Sequence, residues 1–292
     1  MLRRWAAHAA LLPLAVTLAV AYLGAMAWTL AVSFTRSRTF PNADFVGWAQ
    51  YERLFDNERW QLALHNLALY AGLFVAASLV LGTLLAVALD RQVRGAAALR
   101  TVFLYPYALS FVATGLVWQW MMNPEAGLQA AVRRLGFEGF VFDWIVDPER
   151  VLYTIAIATT WQAAGLVMAL VLAGLRGVDP EIWQAARVEG IPAWRTYAQL
   201  VLPTLGPAYA TATVMLAAAA AKLFDAVVAM TQGGPGGASD VPATFVMDHL
   251  FGRANIALAS AGSVVMLVSV LAIAAPVLHA RRVLQRRDGA GA

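Results

Sequence analysis

Long apolar runs, nearly free of Asp, Glu, Lys and Arg, alternate with short polar segments along this chain. A helix needs about 20 apolar residues to cross the hydrocarbon core of a bilayer. The runs are long enough for this, and we predict six spans at about residues 8–34, 64–90, 100–122, 151–175, 203–231 and 255–280. One such run would also fit a buried core helix, but six of them in 292 residues favour a membrane protein.

The first run resembles a signal peptide in one respect, because Arg3 and Arg4 precede it. The apolar region of a signal peptide has about 7–15 residues. The run between Arg4 and Arg36 is longer than that. We therefore expect an uncleaved first span.

Composition narrows the class of protein further. Apolar residues make up 61% of the chain and charged residues 13%, with a mean hydropathy of +0.65. A soluble domain carries about 25% charged residues, so an ordinary cytosolic enzyme and a disordered protein are excluded. Cysteine is absent, which excludes disulfides and thiolate ligands. The four histidines are far apart in sequence, and we expect no metal site.

Charge sets the expected orientation. With the N-terminus inside, the cytoplasmic pieces hold twelve Arg and five acidic residues, and the outer pieces hold eight Arg and eleven acidic residues. The positive-inside rule therefore predicts that both termini are cytoplasmic. Nucleic-acid binding is not expected despite a pI near 9.7, because the chain has one lysine and its arginines stand in small groups at the ends of apolar runs.

The connector between the fourth and fifth spans, residues 176–203, has a distinct pattern. Asp179-Pro180-Glu181 is typical of a helix start, with an N-cap carboxylate, a first-turn proline and an acidic side chain near the positive helix end. Gly190 is suited to the left-handed residue that ends a helix. Ile191-Pro192 then predicts a second short helix that runs towards Pro203. We expect a helix, a turn and a helix on the cytoplasmic side.

The same connector resembles the EAA loop of binding-protein-dependent ABC importer permeases. The matching residues have the family's spacing without a gap, and they are Gln184-Ala185-Ala186, Gly190, Leu200, Leu202 and Pro203. Gln184 departs from the family pattern, which has glutamate there. Other segments resemble the sugar branch of the family, the maltose and glucose type: residues 103–106, 118–124, 161–162, 224–225 and 231–236.

The resemblance implies an all-α fold of the type I ABC importer permease architecture, with six transmembrane helices and a cytoplasmic coupling helix. It implies a second permease subunit, two ATP-binding subunits, an extracytoplasmic sugar-binding protein and a sugar substrate. The location would be the cytoplasmic (inner) membrane of a bacterium or archaeon. The residues implied in ATPase coupling are Glu181, Gln184, Ala185, Ala186, Glu189, Gly190 and Pro203.

We expect no cofactor on this chain. A phosphate-binding loop needs Gly-Lys before Ser or Thr, and the single lysine, Lys222, lies in an apolar run. ATP and Mg²⁺ would then be bound by the partner ATPase.

Candidate residues for a substrate path lie within the spans. Lys222 and Asp225 would share one helix face at a spacing of i, i+3, in the outer part of the fifth span. Ionisable groups are costly in a membrane and usually face a cavity or each other, so a structural pair is the alternative. Amides and aromatic rings suit a sugar, and the candidates are Asn66, Trp118, Gln119, Trp120, Trp161 and Gln162. An interfacial belt is the alternative for the tryptophans.

Other functions remain open from the sequence. An ABC permease for a polyol or glycerol phosphate would share these features. A secondary transporter or channel would usually carry membrane carboxylates or broken helices near the midplane, and only Asp225 offers such a feature. A structural membrane protein would not need the helix-turn-helix connector. The particular sugar is not predicted, although residues 118–136 favour glucose-type permeases.

Overall fold

The computed structural model describes the backbone of residues 11–90 and 95–289, and within those ranges the side chains as far as residue 272. Arg3, Arg4 and both chain ends therefore lie outside the described residues, as do the side chains of the C-terminal arginines. The predicted positions of the two termini are not addressed by the structure.

Helices account for most of the described residues. The connections include one isolated antiparallel bridge between Thr35 and Phe45. In chain order the helices are α1 Leu11–Ser33, α2 Ala49–Phe55, α3 Glu58–Asp90, α4 Ala96–Leu104, α5 Phe111–Met121, α6 Leu128–Arg134, α7 Val151–Arg176, α8 Pro180–Val188, α9 Ala193–Ala221, α10 Asp225–Met230, α11 Pro242–Met247 and α12 Ile256–Gly289.

The prediction of an all-α membrane protein is confirmed. Among the described residues, α1, α3, α7 and α9 are each long and apolar enough to cross a bilayer. A short 3-10 turn, Tyr105–Ala108, extends α4. The extended α4 and α5 are long and apolar enough to cross a bilayer only when they are taken together. In α12 the shorter segment Ile256–Ala272 is apolar. Each predicted span thus coincides with helical structure, but not with six straight helices.

The third predicted span is broken. α4 with its 3-10 turn meets α5 at an angle of 100°. Leu109 and Ser110 are extended, and the Ser110 hydroxyl caps α5 by accepting a hydrogen bond from the Ala113 amide at 3.1 Å. Backbone groups freed by a break in a membrane must be bonded within the protein. Pro106 favours the break, because its ring cannot continue a regular helix interior.

The fifth predicted span also differs from expectation. α9 ends at Ala221, Leu223 and Phe224 are not helical, and α10 begins at Asp225. The reason is packing, because the chain turns after α9 so that α10 lies along α5. The two helices are close at Gly115 of α5, where an added Cβ would be 2.6 Å from the Cβ of Ala229 in α10. Lys222 and Asp225 therefore do not share one helix face.

The chain forms two compact units. The first contains the described residues up to Gln61 together with Pro242–Leu271. Its aromatic side chains pack in two groups: Phe34 lies against Trp48 and Tyr51, and Trp60 contacts Phe245 edge-on with ring centroids 5.1 Å apart. The Ser33 and Tyr51 hydroxyls are hydrogen-bonded at 2.7 Å.

The second unit contains Leu62–Val241 and is organised around α7, whose residues are largely buried. Helices approach α7 closely at glycines. A Cβ added at Gly82 of α3 would lie 2.9 Å from the Ala164 carbonyl oxygen, and one added at Gly165 would lie 2.9 Å from the Leu104 Cα and overlap the Phe103 carbonyl oxygen. Small residues permit such backbone contact between membrane helices.

Candidate functional site

The predicted start and end of α8 are confirmed. The Asp179 carboxylate accepts a hydrogen bond from the Glu181 amide at 2.9 Å, and Pro180 is the first helical residue. At the other end Gly190 has a φ of +70°. The Ile191 amide bonds to the Ala186 carbonyl at 2.9 Å and the Gly190 amide to the Arg187 carbonyl at 3.2 Å. This pair of bonds is the Schellman motif, which fixes the turn.

Contacts on one face hold α8 to the start of α9. Ala186 is 3% exposed, and the helix packs on residues 196–201. The Trp183 and Tyr197 rings meet edge-on with centroids 5.1 Å apart. The Tyr197 hydroxyl also donates a hydrogen bond to Asp90 Oδ2 at 2.6 Å, which ties the connector to the end of α3.

The opposite face of α8 is exposed. Glu181, Gln184, Ala185, Glu189 and Gly190 lie on the surface. Val188, which the sequence reasoning did not select, is 87% exposed. Ala186, which the resemblance also implied in ATPase coupling, is in contrast buried against the chain itself. Its small size serves packing on α9.

The second part of the connector differs from the predicted short helix. It is continuous with α9, which runs from Ala193 to Ala221. Pro203 lies exposed inside this helix, in a 3-10 turn formed by Leu202–Leu205, rather than at a helix end. A proline lacks the amide proton of the regular helix, and a local tightening is the usual accommodation.

Two adjoining cavities lie in the second unit. The Gln162 cavity measures about 290 Å³ and the Lys222 cavity about 460 Å³. Four residues line both of them: Phe74, Phe111, Met215 and Ala219. Sequence reasoning missed these four, because apolar residues in apolar spans carry no signal that separates cavity walls from core.

The Gln162 side chain makes one hydrogen bond through its amide nitrogen, and its amide oxygen has no partner among the described residues. It is 2% exposed, and its Nε2 donates to the Leu109 carbonyl at 2.7 Å, at the break between α4 and α5. Its Oε1 is buried without a hydrogen-bond partner among the described residues, on a side chain that lines the Gln162 cavity. A buried unpaired acceptor is costly, so this oxygen suits a ligand hydroxyl or a water.

Lys222 and Asp225 both line the Lys222 cavity, beside Tyr70 and Phe74. Both side chains are exposed. Among the side chains that the structure describes, neither residue has an ion-pair partner, and they do not pair with each other. The cavity thus offers an ammonium group, a carboxylate and aromatic rings to an incoming ligand.

The remaining predicted path residues lie elsewhere. Asn66 is 3% exposed, and its amide donates to the Ala238 and Asp240 carbonyls at 3.0 and 2.9 Å, so it anchors the loop after α10. Trp118 and Trp161 pack edge-on at 5.8 Å. Gln119 is half-buried and Trp120 is 75% exposed. None of these residues lines either of the two cavities.

A charged cluster in the first unit lies outside the spans. Asp248 pairs with Arg59 and with Arg253, the latter at 2.9 Å. Burial opposes the charged form of Asp248, but the hydrogen bonds and charges of these arginines prevail and lower its pKa. Burial also lowers the pKa of His249, whose ring stacks on Phe245. Asp248 is therefore ionised and His249 neutral at pH 7. The ionised Asp248 stabilises the first unit through its ion pairs with Arg59 and Arg253.

The apolar helices, the broken helix pair and the internal cavities define a multi-pass α-helical membrane protein. Comparison with known sequences adds the family. The chain belongs to the binding-protein-dependent transport system inner membrane components, whose family model matches residues 78–287. These proteins are the permeases of ABC importers, so the resemblance drawn from the connector is confirmed.

Relatives match over nearly the whole chain. A probable ABC transporter permease protein of Pyrococcus horikoshii is 34% identical, over 92% of this chain and 93% of its own length. The xylose/arabinose import permease protein XacH of Haloferax volcanii is 32% identical, over 90% of this chain and 84% of its own.

A solved structure shares the fold. It is a bacterial alginate ABC transporter in complex with an alginate pentasaccharide-bound periplasmic protein. One of its chains superposes with a TM-score of 0.82 at 21% identity and covers 96% of both chains.

Proposed function

We propose that this chain is a permease subunit of an ATP-driven carbohydrate importer and forms half of the translocation path. A second permease subunit would complete the path, and an extracytoplasmic binding protein would deliver the sugar. Two cytoplasmic ATPase subunits would bind ATP and Mg²⁺. Both termini would lie in the cytoplasm, as the arginine distribution predicts.

The observation that carries this proposal is the construction of α8. One face is fixed to α9 through Ala186 and Trp183, and the other presents Val188 and Gln184 to the surface. An exposed apolar residue on a rigid, capped helix is suited to a groove in a partner. A movement of that partner would pass through the Schellman turn directly into α9, whose far end reaches the Lys222 cavity.

Carbohydrate is the substrate class that the cavities support. A pyranose has apolar faces and hydroxyl edges, and the two cavities combine Phe74 and Phe111 with the free Gln162 Oε1 and the Asp225 carboxylate. Import of pentoses by a relative agrees with this chemistry. The exposed ammonium of Lys222 favours glycerol phosphate as a second candidate.

We expect the purified chain alone to hydrolyse no ATP, because its single lysine is not part of a phosphate loop. Addition of the cognate ATPase should give a stable complex in a pull-down and hydrolysis that vanadate inhibits. Vanadate-sensitive hydrolysis by a preparation free of other subunits would contradict the proposal.

Asp225→Ala should lower sugar uptake about tenfold, since a hydrogen bond to a charged group contributes about 1.5–3 kcal/mol. Its amount in the membrane should stay close to wild type, because Asp225 is exposed and has no ion-pair partner among the described residues. Asp56→Ala, at an exposed carboxylate outside the cavity, is the matched control. Normal uptake at normal expression would show that Asp225 is not part of the path.

A further inference from the structure

The lining of a third cavity, the Arg100 cavity, overlaps that of the Gln162 cavity at Tyr107 and otherwise differs from the linings of the two cavities described above. It measures about 490 Å³ and lies between α4 and α7. Arg100 and Arg176 line it, together with apolar residues such as Leu104, Met168 and Leu172. The proposed transport function makes no use of it.

The two arginines are unusual for an apolar cavity. Among the described side chains, no acidic residue lines the cavity and neither guanidinium has an ion-pair partner. The Arg100 Nε is buried and has no hydrogen-bond partner there. A buried donor without an acceptor costs free energy, so the arrangement calls for an anionic ligand.

The depth of the cavity indicates what that ligand carries besides charge. Arg176 is the last residue of α7, and Met168 lies eight residues earlier on the same helix. At about 1.5 Å per residue, the lining extends roughly 12 Å from the helix end into the apolar region. A small anion would leave most of that length empty.

We propose that the Arg100 cavity binds one anionic phospholipid of the cytoplasmic leaflet. The guanidiniums of Arg100 and Arg176 would bind the phosphodiester, and the wall formed by Leu104, Met168 and Leu172 would hold the first part of an acyl chain. The leaflet follows from the proposed orientation, which places Arg100 and Arg176 at cytoplasmic ends of spans. Basic pockets between helices on that side are suited to anionic headgroups.

Native mass spectrometry of the purified full-length chain tests this. The chain is incubated with phosphatidylglycerol and phosphatidylcholine of equal acyl chains, and retained lipid is counted. Wild type should retain one phosphatidylglycerol in preference to phosphatidylcholine. The double variant R100Q/R176Q should lose about tenfold or more of this retention, because charge-assisted hydrogen bonds disappear. Arg195→Gln, an exposed arginine outside the cavity, should retain lipid as wild type does.

A second variant tests the apolar part independently of charge. Ala169→Phe fills the cavity and keeps both arginines, so it should also reduce phosphatidylglycerol retention, and excess inorganic phosphate should not displace the lipid. Equal retention of both lipids, or full retention by R100Q/R176Q, would overturn the proposal. Displacement by inorganic phosphate with no effect of Ala169→Phe would show a free-anion site instead. Loss of the lipid on assembly with the second permease would show that protein covers the cavity.

Discussion

Gly190→Val should lower ATP-driven sugar uptake about tenfold while the permease remains in the membrane. Gly190 has a φ of +70°, and a side chain in this left-handed conformation costs about 1–2 kcal/mol, more for a β-branched residue. Relief of that strain would break the Schellman bonds and change the orientation of α8 on α9. Sugar uptake and pull-down of the ATPase should therefore fall together.

Two variants control for the strain itself. Gly136→Val places the same residue at a φ of +100° in the loop after α6, where nothing lies within 4 Å of the added Cβ. It should leave uptake and ATPase docking unchanged. Gly190→Asn should retain much of the wild-type uptake and ATPase docking, because asparagine tolerates the left-handed region. Wild-type docking and uptake in Gly190→Val would show that α8 is not the coupling element.

Gly165→Leu should abolish the folded permease. A Cβ at this position overlaps the Phe103 carbonyl oxygen and lies 2.9 Å from the Leu104 Cα, and both are backbone atoms. Backbone cannot move aside as a flexible side chain does, and overpacking in a tight core costs about 1–3 kcal/mol or more. Yield after detergent extraction and the temperature of aggregation measure the loss.

Gly72→Leu is the matched control for this change. Gly72 lies in α3, and nothing is within 4 Å of a Cβ added there. Its extraction yield and aggregation temperature should match wild type. If Gly165→Leu behaves as Gly72→Leu does, α4 does not pack against α7 as closely as the structure has it.

Local rules predicted the ends of α8 well because they depend on a few neighbouring residues. Asp179, Pro180 and Gly190 specify a helix start and a left-handed end whatever surrounds them, and the structure has both. The apolar runs likewise predicted where helices occur, because a bilayer sets a minimum length for each run.

The helix breaks depend on packing between distant segments and were not predicted. The bend after α4 is stabilised by Gln162, more than fifty residues away, and the end of α9 by the fit of Ala229 against Gly115. No local sequence signal at Lys222 marks that break. The sequence offered only Asp225 as a feature of a secondary transporter, whereas the structure also has a helix pair bent by 100°. Family membership therefore becomes the ground for an ABC importer permease.

Burial of small residues also depends on tertiary contacts. Ala185 and Ala186 are identical in type and adjacent, yet Ala185 is exposed and Ala186 is buried on α9. Asn66 shows the same limit, since its amide bonds to backbone 172 and 174 residues away rather than to a cavity. A sequence supplies the hydrogen-bonding group but not its partner.

Accumulation of labelled sugar in proteoliposomes tests the central claim most directly. The vesicles contain this chain, its partner permease and the ATPase, with binding protein and sugar outside and ATP inside. We predict accumulation of a pentose or disaccharide only when every component and ATP are present, and its loss with Gly190→Val but not with Gly136→Val. Accumulation by this chain alone, driven by a proton or sodium gradient without ATP, would contradict the account.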